Sequence, residues 1–302
     1  MTAHSHEHAH GHAHAHEHAH GHGEHPDWAA LADHLENGAE LHLPALRQAA
    51  GWLAGLMEGT PVRRILDVGS GPGVATCLLA ERFETAETVA VDGTPALLER
   101  TRDRAGRLGL AGRVHTLPAD LPGDFGELGV ADLVWSSLTV HHVGDQQAAL
   151  NELARSLRPG GLLAVAERGL PARFLPRDIG LGRPGLQARL DAAVEDWFTA
   201  MRAELPDSTP VIEDWPAMLA ATGLVPAGSR SFLVDLPAPL PAPAREYLHT
   251  QLSRTRHNGG DRLDEEDLAT LDRLLDRDSA TGILTRPDAF YLTAITVHTA
   301  RA

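Results

Sequence analysis

The sequence lacks several residues on which common chemistries depend. Its 302 residues include a single cysteine, Cys77, and no lysine, so the 26 residues counted as lysine plus arginine are all arginine. One thiol cannot form a disulfide within the chain, and without lysine no Schiff-base catalysis is available. Aromatic residues make up only 4%, so we expect a core of leucine, valine and alanine.

Long apolar runs and an excess of positive charge are also missing. No stretch is long enough to cross a bilayer, and the first residues are polar, unlike a signal peptide, which predicts a cytoplasmic protein. The formal net charge is −15 with histidine neutral. This charge argues against nucleic acid and against an anionic membrane surface as partners.

Residues 1–25 form a low-complexity segment in which histidine alternates with alanine, glycine, glutamate and serine. Its low apolar content predicts disorder. Several imidazoles on a flexible chain can surround Zn²⁺, Ni²⁺ or Cu²⁺, so we expect weak divalent-metal binding there and no metal site in the folded domain. The candidate ligands are His4, His6, His8, His10, His12, His14, His16, His18, His20 and His22.

A glycine-rich motif, ILDVGSGPG, occupies residues 65–73 and precedes an apolar segment. The pattern predicts a buried strand, a tight turn and the start of a helix, which is typical of nucleotide-binding loops. Its spacing differs from the G-x-G-x-x-G of dinucleotide loops, and no glycine-lysine-serine/threonine phosphate loop is present. Asp67 would repel a phosphate but suits an ammonium or sulfonium group. The motif therefore favours a cationic adenosine cofactor over NAD, FAD or ATP.

Further acids follow predicted strands downstream of this loop. Asp92 ends the apolar run of residues 88–91, where a carboxylate can accept both hydroxyls of a ribose. Asp120 follows a third predicted strand. A fourth strand, residues 131–135, ends in Ser136 and Ser137.

These elements together resemble a class I S-adenosylmethionine-dependent methyltransferase. The matching segments are ILDVGSGPG, VAVDG, PADL, ADLVWSSLTVHHV and LARSLRPGGLLAVAE, within roughly residues 45–168. The resemblance implies an α/β fold with a doubly wound, seven-stranded, mostly parallel sheet, N-terminal helices and helical insertions. It also implies S-adenosyl-L-methionine as the cofactor and a small-molecule acceptor as the partner, and it leaves a homodimer open.

The resemblance assigns cofactor-binding roles to residues at the ends of four strands. Asp67 would lie near the ammonium group, Asp92 would hold the ribose, and the serines would lie near the sulfonium. The full set is Asp67, Gly69, Ser70, Gly71, Gly73, Asp92, Gly93, Asp120, Leu121, Ser136 and Ser137.

Catalytic candidates follow the fourth and fifth strands. His141 or His142 is a candidate general base, although such a pair can also serve only to fix the loop. Glu167 and Arg168 are expected to face the mouth of the pocket. Arg168 could bind a substrate carboxylate or form a surface ion pair.

The organisation along the chain is predicted as a tail (1–25), an N-terminal helical cover (26–60) and a methyltransferase domain (61–302). The cover is expected to contain two helices, one beginning at Pro26 and one running from Pro44 to about residue 57. Insertions are expected near 169–210, beginning with a loop at 170–176, and at 237–287. We expect an enzyme that methylates a small molecule on oxygen or nitrogen, with secondary metabolism as a candidate setting. A metal-handling protein and a non-catalytic cofactor-binding partner are the alternatives.

Overall fold

The computed structural model describes residues 31–302, so the histidine-rich tail and the predicted helix start at Pro26 lie outside the described residues. One seven-stranded sheet, in the order β3-β2-β1-β4-β5-β7-β6, organises the fold. Strands β1 to β5 are parallel, while β7 runs antiparallel to both β5 and β6. The strands are β1 (Arg64–Val68), β2 (Glu87–Asp92), β3 (Val114–Pro118), β4 (Ala131–Ser137), β5 (Leu157–Arg173), β6 (Val225–Leu236) and β7 (Tyr291–Arg301).

Eight α-helices accompany the strands within residues 31–302. They are α1 (Ala32–Leu56), α2 (Val74–Arg82), α3 (Pro95–Arg107), α4 (Gln146–Arg155), α5 (Leu186–Ala203), α6 (Trp215–Ala221), α7 (Ala242–Gly259) and α8 (Glu265–Leu275). The predicted α/β fold is confirmed. The predicted insertion at 237–287 corresponds to α7 and α8, which lie between β6 and β7.

Both faces of the sheet are covered, which explains why the central strands are almost continuously apolar. Because successive side chains of a strand point to opposite faces, Ile65 and Leu133 join one apolar cluster, while Leu66 and Val134 join the other. The first cluster includes side chains of α1, α2, α5, α7 and α8, and the second includes those of α4 and α6.

The prediction of two helices before the first strand is wrong, because α1 runs without a break through Pro44. A proline inside a helix costs about 3 kcal/mol, since it removes one hydrogen bond and crowds the preceding turn. The packing of both ends opposes this cost. Ala32 is buried near the start of the helix, and Leu46 and Leu53 are buried beyond the proline.

The prediction of a loop at residues 170–176 is wrong for its first part, since β5 continues to Arg173. The antiparallel partner β7 extends the ladder, pairing Arg168 with Ile295 and Arg173 with Leu292. Pro171 lies in a register irregularity between Leu170 and Arg173, where a missing N–H donor is tolerated.

The sheet order reverses between β1 and β4, and ligands of open α/β sheets bind at such a point, beyond the carboxyl ends of the strands. The glycine loop follows β1 at this edge, and Asp92 and Ser137 end β2 and β4 beside it. No helix among residues 31–302 is long and apolar enough to span a membrane.

Candidate functional site

The glycine loop is anchored on the neighbouring strand. The backbone N–H groups of Gly69 and Ser70 both donate to the carbonyl of Val91, at 2.9 and 3.0 Å. The loop therefore folds across the end of β2 before α2 begins at Val74.

The glycines of the loop have different reasons to lack a side chain. A Cβ atom at Gly69 would lie 2.1 Å from Thr139 Oγ1, and one at Gly73 would lie 2.5 Å from the Thr101 side chain. Gly71 also has a positive φ, +54°, but nothing lies within 4 Å of its Cβ position. Close packing therefore requires Gly69 and Gly73, whereas Gly71 borders open space in which a ligand can approach the backbone.

Asp92 presents a half-buried carboxylate beside this open space. One oxygen accepts the Gly71 N–H at 2.9 Å and the other accepts the Thr94 N–H at 2.8 Å. Each carboxylate oxygen has a second lone pair, so the group can still accept two hydroxyls. The donor set therefore fits the adjacent hydroxyls of a ribose.

Asp120 and Leu121 lie next to the end of β2. A Cβ atom at the exposed Gly93 would be 3.4 Å from Asp120 Oδ1. The Asp120 backbone N–H donates to Asp124 at 2.7 Å, while its own carboxylate is on the exposed side. Leu121 packs partly against the second apolar cluster. This corner can therefore offer a carboxylate and an apolar surface to a base.

Asp67 and Ser70 are enclosed beneath the loop. Asp67 is 1% exposed and accepts the Thr76 hydroxyl at 2.5 Å. Burial raises the pKa of the Asp67 carboxyl to about 7. The Ser70 hydroxyl is buried and has no hydrogen-bond partner among the described residues.

The two serines at the end of β4 differ in their surroundings. The buried Ser136 hydroxyl donates to the Val68 carbonyl at 3.0 Å and so joins β4 to β1. Ser137 is less buried, and its carbonyl accepts the Thr139 hydroxyl at 3.0 Å. Leu138, which the sequence did not single out, has a φ of +52° and is 38% exposed. A leucine in the left-handed region is strained, and such strain concentrates at functional sites.

His141, which follows β4, and Glu167, which lies on β5, form a buried pair. His141 Nδ1 lies 2.7 Å from Glu167 Oε2, and the two residues are 6% and 3% exposed. The expectation that Glu167 faces the mouth of the pocket is therefore wrong, because its carboxylate faces His141 instead. A carboxylate on Nδ1 fixes the ring and leaves Nε2 as the proton acceptor of the neutral imidazole.

Comparison with known proteins now places the chain in a family. Residues 66–165 match the family model described as "Methyltransferase domain". Over 209 residues the chain is 31% identical to trans-aconitate 2-methyltransferase of Methylobacterium radiotolerans, and the match covers 60% of this chain and 75% of that protein. The chain belongs to the class I S-adenosylmethionine-dependent methyltransferases. It is an enzyme of that family, and its cofactor is S-adenosyl-L-methionine.

Other matches cover different shares of the chain. A malonyl-(acyl-carrier protein) O-methyltransferase of Dechloromonas aromatica is 41% identical over 123 residues, which is 39% of this chain and 42% of that protein. The crystal structure of a methyltransferase from Geobacter sulfurreducens in complex with S-adenosyl-L-homocysteine has a TM-score of 0.48 and 19% identity. That match covers 84% of this chain and 90% of the other.

His142 of the methyltransferase lies beside the His141–Glu167 pair, with the two imidazole ring centres 4.2 Å apart. Burial, and after it the electrostatic effects of His141, Arg168, Arg202 and Arg254, lower the pKa of His142 to about 3. His142 is therefore a neutral imidazole at neutral pH and a weak proton acceptor.

We expect the His142 imidazole to show no titration between about pH 5 and 8. Below pH 6.5 the unfolded chain protonates His142 whereas the folded protein does not, so this residue lowers the stability of the fold as the pH falls. Asp67 has the opposite effect. Its carboxyl pKa is raised from 3.8 to about 7 in the folded protein, so folding takes up a proton between these pH values and stability rises as the pH falls. A melting curve therefore mixes the two effects. The measurement is the imidazole NMR resonance, assigned with His142→Gln, and an inflection near the ordinary value would contradict the expectation.

Arg168 of the methyltransferase follows Glu167 near the outer end of the site. Its guanidinium carbon lies 5.8 Å from the centre of the Phe198 ring on α5. Glu195 is 3.9 Å away, and both side chains of this pair are more than half exposed. Such a pair contributes little, so Arg168 remains available to an anion.

Four rings from distant parts of the sequence pack together, and we call them the aromatic cluster: His34, His42, Tyr247 and Tyr291. Tyr247 stacks on His34 at 4.7 Å and meets Tyr291 edge-on at 5.9 Å. The Tyr291 hydroxyl lies 3.2 Å from His42 Nε2. No local motif marks these residues, because they come together only when α1 packs against α7 and β7.

Proposed function

We propose that this methyltransferase transfers a methyl group to an oxygen or nitrogen of a small-molecule acceptor, with secondary metabolism as the setting. The observation that carries the proposal is the buried pair of His141, which follows β4, and Glu167, which lies on β5. One relative is named for the small molecule trans-aconitate, which supports an acceptor of that scale.

The cofactor is proposed to lie across the ends of β1, β2 and β4. Asp92 would accept the ribose hydroxyls, Gly71 would give the backbone room, and Asp120 with Leu121 would flank the adenine. Asp67 would act on the ammonium group from beneath the loop, since a nearby cation favours its charged form. Ser137 is the better placed of the two serines, because the Ser136 hydroxyl already binds the Val68 carbonyl.

Bound S-adenosylmethionine supplies an electrophilic methyl group on a sulfonium. The protein must hold the acceptor atom in line with that group and remove its proton. We assign the proton to His141 Nε2, with Glu167 stabilising the resulting imidazolium through Nδ1. His142 is the weaker candidate because its pKa is lowered to about 3.

The direct experiment is incubation of the protein with S-adenosylmethionine and candidate acceptors, followed by mass spectrometry. We expect one product to gain a single methylene unit and S-adenosylhomocysteine to accumulate in equal amount. Cofactor binding without any methylated product, across O–H and N–H acceptors, would favour the non-catalytic cofactor-binding alternative.

The histidine-rich tail supports a separate binding activity. Among residues 31–302 no group of three or more histidine, cysteine, aspartate or glutamate side chains is arranged to hold a metal. The tail has ten alternating histidines between His4 and His22, and such a composition favours weak divalent-metal binding.

We expect deletion of residues 1–25 to leave S-adenosylmethionine affinity unchanged and to remove most Ni²⁺ and Zn²⁺ binding. Calorimetry on the full-length and shortened proteins measures both ligands. Loss of methyl transfer on deletion, with recovery on adding metal, would instead make the tail part of the catalytic machinery.

A further inference from the structure

Arg254 is a half-buried arginine whose counter-ion is missing from residues 31–302. It lies on α7 seven residues after Tyr247, which is two helical turns, so both side chains share one face. No carboxylate of the described residues lies within ion-pair distance of its guanidinium. Removing a cation from water without a partner is costly, so an anion beside this half-buried group would be stabilising.

The surroundings of Arg254 are positively charged. Burial lowers the pKa of the Arg254 guanidinium, and the charge of Arg168 lowers it further, with only Tyr247 acting in the opposite direction. Both arginines also act on His142. The nearby acids do not neutralise them: Glu167 is paired with His141, and Glu195 is an exposed partner 3.9 Å from Arg168.

Aromatic rings lie near both arginines. Phe198 lies under Arg168 and meets the His142 ring at 6.4 Å. Tyr247 stacks on His34, whose Nδ1 is buried without a hydrogen-bond partner among the described residues. Helices α5 and α7 pack together here. Flat rings beside guanidinium groups suit an organic acid.

We propose that the methyl acceptor is a carboxylic acid whose carboxylate binds between Arg254 and Arg168. The inference rests on the proposed function, because it names the chemical class of that acceptor. Guanidinium groups match a planar carboxylate with paired N–H donors. Arg254 then belongs to the acceptor site although it lies in the helical insertion between β6 and β7.

The test uses the full-length protein saturated with S-adenosylhomocysteine. Glutarate and cinnamate are each compared with the corresponding neutral amide by isothermal titration calorimetry. We expect at least one acid to bind, and its amide to bind at least about tenfold more weakly, since an interaction with a charged group is lost. Arg254→Gln should weaken acid binding about tenfold to a hundredfold, and Arg254→Lys should recover part of it.

Arg256→Gln is the matched control. It removes the same charge from the same helix, but Arg256 pairs with Asp272 at 2.9 Å on α8. Acid binding should change less than about twofold in this variant. S-adenosylhomocysteine affinity reports folding of every variant.

Three results would overturn the anion site in a protein that binds S-adenosylhomocysteine: no binding of either acid, equal binding of acid and amide, or unchanged acid binding by Arg254→Gln. Tighter binding of inorganic phosphate than of either acid would overturn the carboxylate assignment. Failure to bind S-adenosylhomocysteine would contradict the proposed function itself.

Discussion

Replacing His141 with glutamine should lower turnover by about 10²–10⁴ while leaving S-adenosylmethionine affinity nearly unchanged. Glutamine can keep a hydrogen bond to Glu167 but cannot take a proton from the acceptor. The acid limb of the pH–rate profile should disappear with the imidazole. Single-turnover kinetics at saturating cofactor would measure the chemical step.

Two further variants distinguish proton removal by His141 from a merely structural role of the residues around it. Glu167→Gln should lower turnover less than His141→Gln, because the ring remains but loses the carboxylate that stabilises its charged form. His142→Gln should have the smallest effect of the three on the chemical step. Equal losses in all three would indicate a role in fixing the loop.

If His141→Gln kept full turnover on an acid acceptor, the nucleophile would be already deprotonated. The carboxylate held by Arg254 would then itself be methylated. Proximity and alignment would account for the rate. The base assignment would fail while the anion site would stand.

Local signals in the sequence account for the half of the site that is proposed to bind the cofactor. The glycine spacing, the acids at the ends of apolar runs and the order of the strands predicted the loop after β1 and the position of Asp92. These features depend on neighbours close in sequence and on the rule that parallel strands end at one edge. The predicted seven-stranded, mostly parallel sheet is confirmed.

The residues proposed to bind the acceptor are brought together by contacts between residues far apart in the sequence, which no local pattern predicts. The sequence around Glu167 does not predict that its carboxylate faces His141, because His141 lies 26 positions earlier in the chain. Arg254 and Tyr247 gave no signal, since their helix reaches the site only through packing on α1 and α5. Gly69 is a similar case, because the residue that requires a glycine there, Thr139, is distant in the sequence and contacts it only in the folded protein.

Replacing Asp92 with alanine should weaken S-adenosylmethionine and S-adenosylhomocysteine binding about tenfold to more than a hundredfold. The physical reason is the loss of hydrogen bonds from the ribose hydroxyls to a charged group, which contribute about 1.5–3 kcal/mol. Calorimetric titration of both ligands measures the effect. Asp92 also accepts the backbone N–H groups of Gly71 and Thr94, so the variant loses one anchor of the glycine loop and one at the start of α3.

Asp132→Ala distinguishes the loss of ribose hydrogen bonds from the loss of backbone anchors. Asp132 also accepts two backbone N–H groups, those of Arg63 and Arg64 at 2.8 and 2.9 Å, but at the opposite end of β1. It should lower the melting temperature without changing cofactor affinity, whereas Asp92→Ala should change both. Asp92→Asn should have an intermediate effect, because the amide oxygen still accepts a hydrogen bond but the charge is gone. Unchanged affinity in a folded Asp92→Ala protein would remove Asp92 from the cofactor site and leave it only the role of holding the glycine loop.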